Sequence, residues 1–205
     1  MEPVTHFLTG ACLGRAGFNR LTGLATITMT LAAEAPDIDM LWMFDGPVTN
    51  FQHHRGITHT FIGAPFMAAL VVGVVWLVHR AVSRGRKESG AGTPVRWGVL
   101  YGLALLATLS HILLDYTNSY GVRPFFPFRA NWYAWDIVFV VEPILLVVLF
   151  LGLVLPSLLG LVAAEVSQRG TRFRGRGPAI FALVAMVAYW VVCDSQHRIA
   201  LRILN

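Results

Sequence analysis

Charge is scarce in this chain. Only 13% of its 205 residues are charged while 56% are hydrophobic, against about 25% charged in an ordinary soluble domain. Too little polar surface exists for the molecule to face water on every side, which excludes a conventional soluble fold. Cysteine is nearly absent as well. The two present, Cys12 and Cys193, lie inside apolar runs with no CxxC pair, which excludes a disulfide framework and a thiolate metal site. The first apolar run begins at Val4 after Glu2 and has no basic residue before it, so it does not read as a cleavable signal peptide. No internal repeat is visible. Acidic residues number 11 against 16 basic ones, a net charge of +5. A basic balance can signal nucleic acid, but here the basic residues fall in short blocks between apolar runs, the pattern of cytoplasmic loops in a membrane protein.

What the chain does have is long apolar runs. Four are long enough to span a bilayer, for which about 20 apolar residues are needed: residues 58–79, 96–115, 136–163 and 178–194. The third contains Pro143 and Pro156, which predicts tilt or a kink. Two shorter stretches, 4–18 and 21–35, precede them and form either a partly inserted helical hairpin or two short spans. The expected fold is all-α: a polytopic transmembrane helical bundle of about six membrane segments in one integral membrane domain, residues 1–205.

The connections 80–96 and 164–177 carry five and four basic residues. Two spans separate them, so they share a side, which the positive-inside rule assigns to the cytoplasm. Of the acidic residues, all but Glu88 and Glu165 then sort to the opposite side. The Gly/Ser-rich stretch 83–94 and the Arg/Gly-rich stretch 169–177 read as flexible solvated loops.

On this topology, imidazoles and carboxylates from distant segments reach one membrane depth. His59 stands at the outer mouth of one span in "HHRGITHTF". His111 and Asp115, four apart in "HILLDY", project from one helix face. Asp37 and Asp39 in "PDID" aim at a common point from an extended or turn segment. Asp136 and His6 fall on the same side. Each has a plainer reading alone: His111 with Asp115 as a buried pair, Asp37 as a helix-terminus residue, His6 as an interfacial one. Jointly, ionisable groups near bilayer depth indicate a functional site, because each is costly unless paired or metal-bound. Imidazole with carboxylate suits zinc first, and also manganese or iron. The ligands outnumber one ion's needs, so either two ions or one ion with outer-layer partners is implied. His53 reads as a solvated neighbour, and His79 and His197 as residues outside the site. His6, Gly10 and Gly14 form one face of small residues suited to close helix packing. The aromatic clusters "PFFPF" and "NWYAWD" read as an interfacial belt.

The ordered set "THFLTGACLG", "APDIDMLW", "HHRGITHTF", "HILLDYTNSYG" and "RANWYAWD" resembles the YdjM-like inner-membrane metal-dependent hydrolases, over roughly residues 3 to 145. The resemblance implies a membrane-bound hydrolase using a divalent metal. By match it places the family's N-terminal histidine on His6, its PDID aspartates on Asp37 and Asp39, and its HRGxTH histidines on His54 and His59. The HxxxD pair falls on His111 and Asp115, and the later aspartate on Asp136.

These readings lead to hydrolysis of an ester or phosphoester in an amphiphilic, lipid-like substrate at the non-cytoplasmic face of an inner membrane. The expected partners are membrane lipids and that small-molecule substrate, with no nucleic acid. Arg55 is the candidate anion clamp and Glu34 the candidate general base. The rival is a divalent metal transporter or a metal-binding membrane protein without catalysis.

Overall fold

The computed structural model describes residues 1–84, 93–167 and 175–204. The stretches expected as solvated loops fall largely on residues 85–92 and 168–174, outside the described ones. Seven α-helices account for most of the rest: α1 (Pro3–Arg15), α2 (Ala25–Glu34), α3 (Pro47–His53), α4 (Gly63–Ser83), α5 (Trp97–Thr117), α6 (Pro143–Ser167) and α7 (Arg176–Leu204). Among the described residues there is no strand, only two isolated bridges in the connection between α5 and α6.

Three helices, α4, α5 and α7, are long and apolar enough to cross a membrane, and α6 adds a shorter apolar stretch over Pro143–Pro156. Large apolar side chains such as Phe66, Leu77, Phe150, Phe181 and Val191 are exposed along α4, α6 and α7, a surface suited to lipid rather than water. α1 and α2 have 13 and 10 residues. At about 1.5 Å per residue they reach roughly 20 and 15 Å, short of a hydrocarbon core about 30 Å thick. Six full spans are therefore more than the helix lengths establish.

Chemistry sets the helix boundaries. Glu2 caps α1 by accepting the Thr5 N–H, with Pro3 in the first turn where its missing N–H costs nothing. α6 begins at Pro143, not at Asp136 as the apolar pattern suggested. Proline suits the first turn and disfavours helix in the residue before it, so residues 136–142 stay outside the helix. Of the two prolines expected to bend this segment, only Pro156 is interior. α4 likewise starts at Gly63 rather than at residue 58, after a 3₁₀ turn over Ile57–His59.

The core has two parts. Leu8 and Cys12 of α1 pack with Leu145, Leu149 and Leu153 of α6 and with Ala179, Ala182 and Trp190 of α7. Met29 and Ala33 of α2 pack with Ala68 and Val71 of α4 and with Leu100 and Ala104 of α5. α1 and α2 join these halves at close range. A Cβ on Gly10 would stand 2.7 Å from both Ala33 Cβ and the Met29 carbonyl oxygen, and one on Gly14 2.6 Å from Thr26 Cα. The stripe of small residues thus presses the His6 face of α1 onto α2. Gly10→Leu should cost at least about 1–3 kcal/mol through overpacking, read as a lower thermal midpoint in detergent. Gly98→Ala, where an added Cβ meets nothing within 4 Å, should leave the midpoint unchanged or slightly raised.

Candidate metal centre

α2 ends at Glu34, directly before Ala35 and Pro36, and the break matters. Pro36 has no N–H to offer, and the chain continues as a 3₁₀ helix over Ala35–Asp45. The last carbonyls of α2 therefore lack α-helical partners. α5 meets two of them: the Thr108 hydroxyl shares its proton between the Ala104 oxygen of its own helix at 3.0 Å and the Ala32 oxygen at 3.2 Å, and His111 Nδ1 donates to the Ala33 oxygen at 2.6 Å. A carbonyl only accepts, so Nδ1 of His111 carries the proton and Nε2 presents its lone pair.

His59 is held the same way by other partners. Its Nδ1 faces Asp39 Oδ2 at 3.2 Å and Thr58 Oγ1 at 3.0 Å. The Nε2 atoms of His59 and His111 then meet at 3.0 Å, lone pair to lone pair, in a fully buried position. Asp37 Oδ1 lies 3.3 Å from His59 Nε2 and 3.5 Å from His111 Nε2. Asp115 Oδ2 lies 3.4 and 3.6 Å from the same two atoms. Four donor atoms without a proton among them form a tetrahedron, an arrangement that repels itself unless a cation stands inside. Zinc with bonds of about 2.0–2.1 Å sits in a tetrahedron whose edges are about 3.3–3.4 Å. The five histidine edges, 3.0 to 3.6 Å, bracket that length, and all four atoms lie within 4.8 Å of one another, so His59, His111, Asp37 and Asp115 fit a divalent ion.

Asp39 stands one layer out. Its Oδ1 accepts from His54 Nδ1 at 2.9 Å, and its Oδ2 accepts from the Arg55 N–H at 2.9 Å and the Thr58 hydroxyl at 2.7 Å as well as from His59. Burial pushes this carboxyl up, but the hydrogen bonds from His54, His59 and Thr58 together outweigh it and hold it well below the usual carboxylate range. Its lone pairs are engaged in orienting His59, the role carboxylates take behind metal-bound histidines. Asp39→Asn should weaken metal binding about 10–100-fold with the helices intact, measured by competition against a calibrated chelator.

Arg55 is buried and adopts a φ of 57°, a conformation that non-glycine residues hold only under constraint. Nη2 donates to Asp115 Oδ1 at 2.8 Å, Nη1 donates to the Gly121 carbonyl and Asn118 Oδ1, and the group lies 4.5 Å over the Tyr120 ring. Burial lowers its pKa to about 10, so it remains charged at neutral pH. Only Nε is left without a hydrogen-bond partner.

The remaining candidates divide. His6 is fully buried and stacks on His111 with ring centroids 3.7 Å apart. His54 joins Asp37 and Asp39 in a second group of possible ligands. Glu34 ends α2 with Oε1 buried and unpartnered, outside both groups. Asp136 is exposed and outside both groups as well. It lines a separate cavity of about 480 Å³ against α7. Thr58, Asn118 and the Ala33 carbonyl escaped sequence reasoning. Asn118 lies three residues after Asp115, in the turn that Gly121 closes at a φ of 72°, and the "NSYG" turn signal points to it.

A cavity of about 490 Å³ opens beside the cage, lined among others by Glu2, Asp37, Met40, His54, Arg55 and Tyr120. A second, of about 400 Å³, is lined by Phe61, Ile112, Tyr116, Val122, Phe125 and Tyr133 among other apolar and aromatic residues.

The family model described as YdjM inner membrane protein matches residues 1–200. Among curated proteins, the chain is similar to the uncharacterized protein YfhP of Bacillus subtilis, at 24% identity over 155 residues. That alignment takes in 72% of this chain and 43% of the relative, so the chain spans less than half of that protein's length. No solved structure matches the chain.

Proposed function

The chain belongs to the YdjM inner membrane protein family, and on that premise we propose that it is a membrane-bound, metal-dependent hydrolase of an amphiphilic ester or phosphoester. One observation carries the reading: two buried imidazole lone pairs and two carboxylate oxygens converge with tetrahedral spacing. Held in that cage, a divalent ion, zinc first, would supply Lewis acidity and, where a coordination position is open to water, would lower that water's pKa toward about 7.

The protein's own groups set up the rest. The Ala33 carbonyl and Asp39 fix the tautomers of His111 and His59. Arg55 anchors Asp115 and puts a permanent positive charge in the cavity wall, which favours an anionic phosphoester over a neutral ester. With both Nη atoms engaged, Arg55 acts on a substrate through its field and Nε rather than as a free fork. The apolar cavity lined by Phe61 and Ile112, close in sequence to His59 and His111, suits the acyl part of an amphiphile. A panel of fluorogenic amphiphilic phosphoesters and esters tests the proposal. Turnover lost on chelation and restored by zinc or manganese is expected; turnover indifferent to chelation overturns it.

The site faces the non-cytoplasmic side in this reading, because it lies at the ends of the helices away from the basic connections. A cysteine replacing the exposed Val48 of α3 should react with an impermeant thiol reagent on intact cells, and one at Ser89, in the basic connection, should not. The opposite labelling reverses the sidedness. A transporter needs polar groups through the membrane depth, whereas here both groups of possible ligands lie at one end of the described helices.

A further inference from the structure

The four-donor cage raises a chemical problem. A catalytic zinc keeps a position open for water, commonly with three protein ligands, while four protein donors close a tetrahedral site. If His59, His111, Asp37 and Asp115 all bind one ion, little room remains on it for water and substrate. The residues on the other side of Asp115 offer a way out.

Among the described residues, His6 is the most anomalous side chain. It is fully buried, and neither ring nitrogen has a hydrogen-bond partner. Buried polar groups normally find partners, and an orphaned one needs a reason. The ring is not loose, since α1 is pressed onto α2 at Gly10 and Gly14 and the imidazole stacks on His111 with an interplanar angle of 21°. Its Nε2 lies 3.4 Å from Asp115 Oδ1, the same spacing as the edges of the cage. The two Asp115 oxygens thus divide: Oδ2 faces the cage and Oδ1 faces His6.

We propose that the chain binds a second divalent cation between His6 Nε2 and Asp115 Oδ1, with the Asp115 carboxylate bridging it to the ion of the cage. The proposal rests on the cage reading above. A carboxylate bridge suits two-metal hydrolytic sites, whose ions stand about 3.5–4 Å apart. Oδ1 accepts from Arg55 Nη2 at 2.8 Å, touches the Met1 amino group and has Asn118 Nδ2 at 3.5 Å, so a second ion takes the place of the amino group on that oxygen. With two protein donors the second ion keeps open positions. The cavity of about 490 Å³ adjoins this side, since Met1, Glu2, Pro3, Asp37 and Arg55 line it. Glu2 also has Oε2 buried and unpartnered. The other group of possible ligands, Asp37 with Asp39 and His54, is the weaker place for a second ion, because His54 Nδ1 is already paired with Asp39 Oδ1 at 2.9 Å, whereas both ring nitrogens of His6 lack a hydrogen-bond partner.

The test is metal content of the full chain purified in detergent and equilibrated with zinc, measured by mass spectrometry. Two ions per chain are expected, falling to one in His6→Gln. One ion in the unaltered chain, lost in His111→Ala but not in His6→Gln, overturns the second ion and leaves the cage standing. No ion at all overturns both. Two ions retained in His6→Gln place the second one elsewhere and overturn the proposal. If His6→Gln fails to fold, the unaltered chain loaded with manganese decides. An exchange-coupled pair in its paramagnetic resonance spectrum supports the bridge, and a signal from isolated manganese alone overturns it.

Discussion

His111→Ala should purify with the ion of the cage missing, and His59→Ala should do the same. If a closed zinc site gains about 10–16 kcal/mol from four ligands, each ligand accounts for roughly 3–4 kcal/mol, or two to three orders of magnitude in affinity. The loss should exceed that of Asp39→Asn, because Asp39 acts through His59 whereas the two histidines supply lone pairs. His111→Ala also leaves the Ala33 carbonyl without its donor and His6 without its stacking partner, so some loss of thermal stability should accompany it. His79→Ala and His197→Ala, outside both groups of possible ligands, should keep full metal content. Full stoichiometry in both His59→Ala and His111→Ala would refute the shared site.

The second large effect is on turnover. Asp115 supplies one oxygen to the cage and the other to Arg55 and the His6 side. Removing its charge should lower hydrolysis by roughly 10³-fold, since metal-assisted stabilisation is worth several kcal/mol at about 1.4 kcal/mol per decade. The choice of substitution matters. Asp115→Ala strands the buried Arg55 charge, and breaking such a pair costs about 3–5 kcal/mol, so a loss of turnover there mixes lost stability with lost chemistry. Asp115→Asn keeps an oxygen for Arg55 and the shape of the side chain while discarding the carboxylate. Folded Asp115→Asn with undiminished turnover would remove Asp115 from the mechanism.

Much of this arrangement was legible from spacing. His111 and Asp115 share a face because four residues make about one helical turn, and the small-residue face of α1 signalled close packing on another helix, which the fold makes α2. Pro36 marked the end of α2, but nothing local shows that the Ala32 and Ala33 carbonyls it leaves open would hold Thr108 and His111. That pairing joins residues 76 and 78 positions apart, and single-sequence patterns do not carry such distances. "PDID" offered two equivalent carboxylates, yet the fold separates their roles. Asp37 enters the cage and Asp39 fills with donors from residues 54 to 59. Asp136 followed the apolar pattern into an expected helix, whereas Pro143 starts α6 seven residues later and Asp136 is left exposed in the connection. Arg55 read as an interface residue or an anion clamp, and a sequence does not show how many of its donors are already engaged.

Enzyme and transporter part most clearly in sealed liposomes carrying the purified chain, with product release from amphiphilic phosphoesters and uptake of zinc or manganese measured on the same preparation. Hydrolysis that chelation abolishes and a divalent metal restores is expected, lost in Asp115→Asn, with no metal accumulating inside the vesicles. Metal uptake that depends on His111 and Asp115, with no hydrolysis across the panel, would contradict the hydrolase reading.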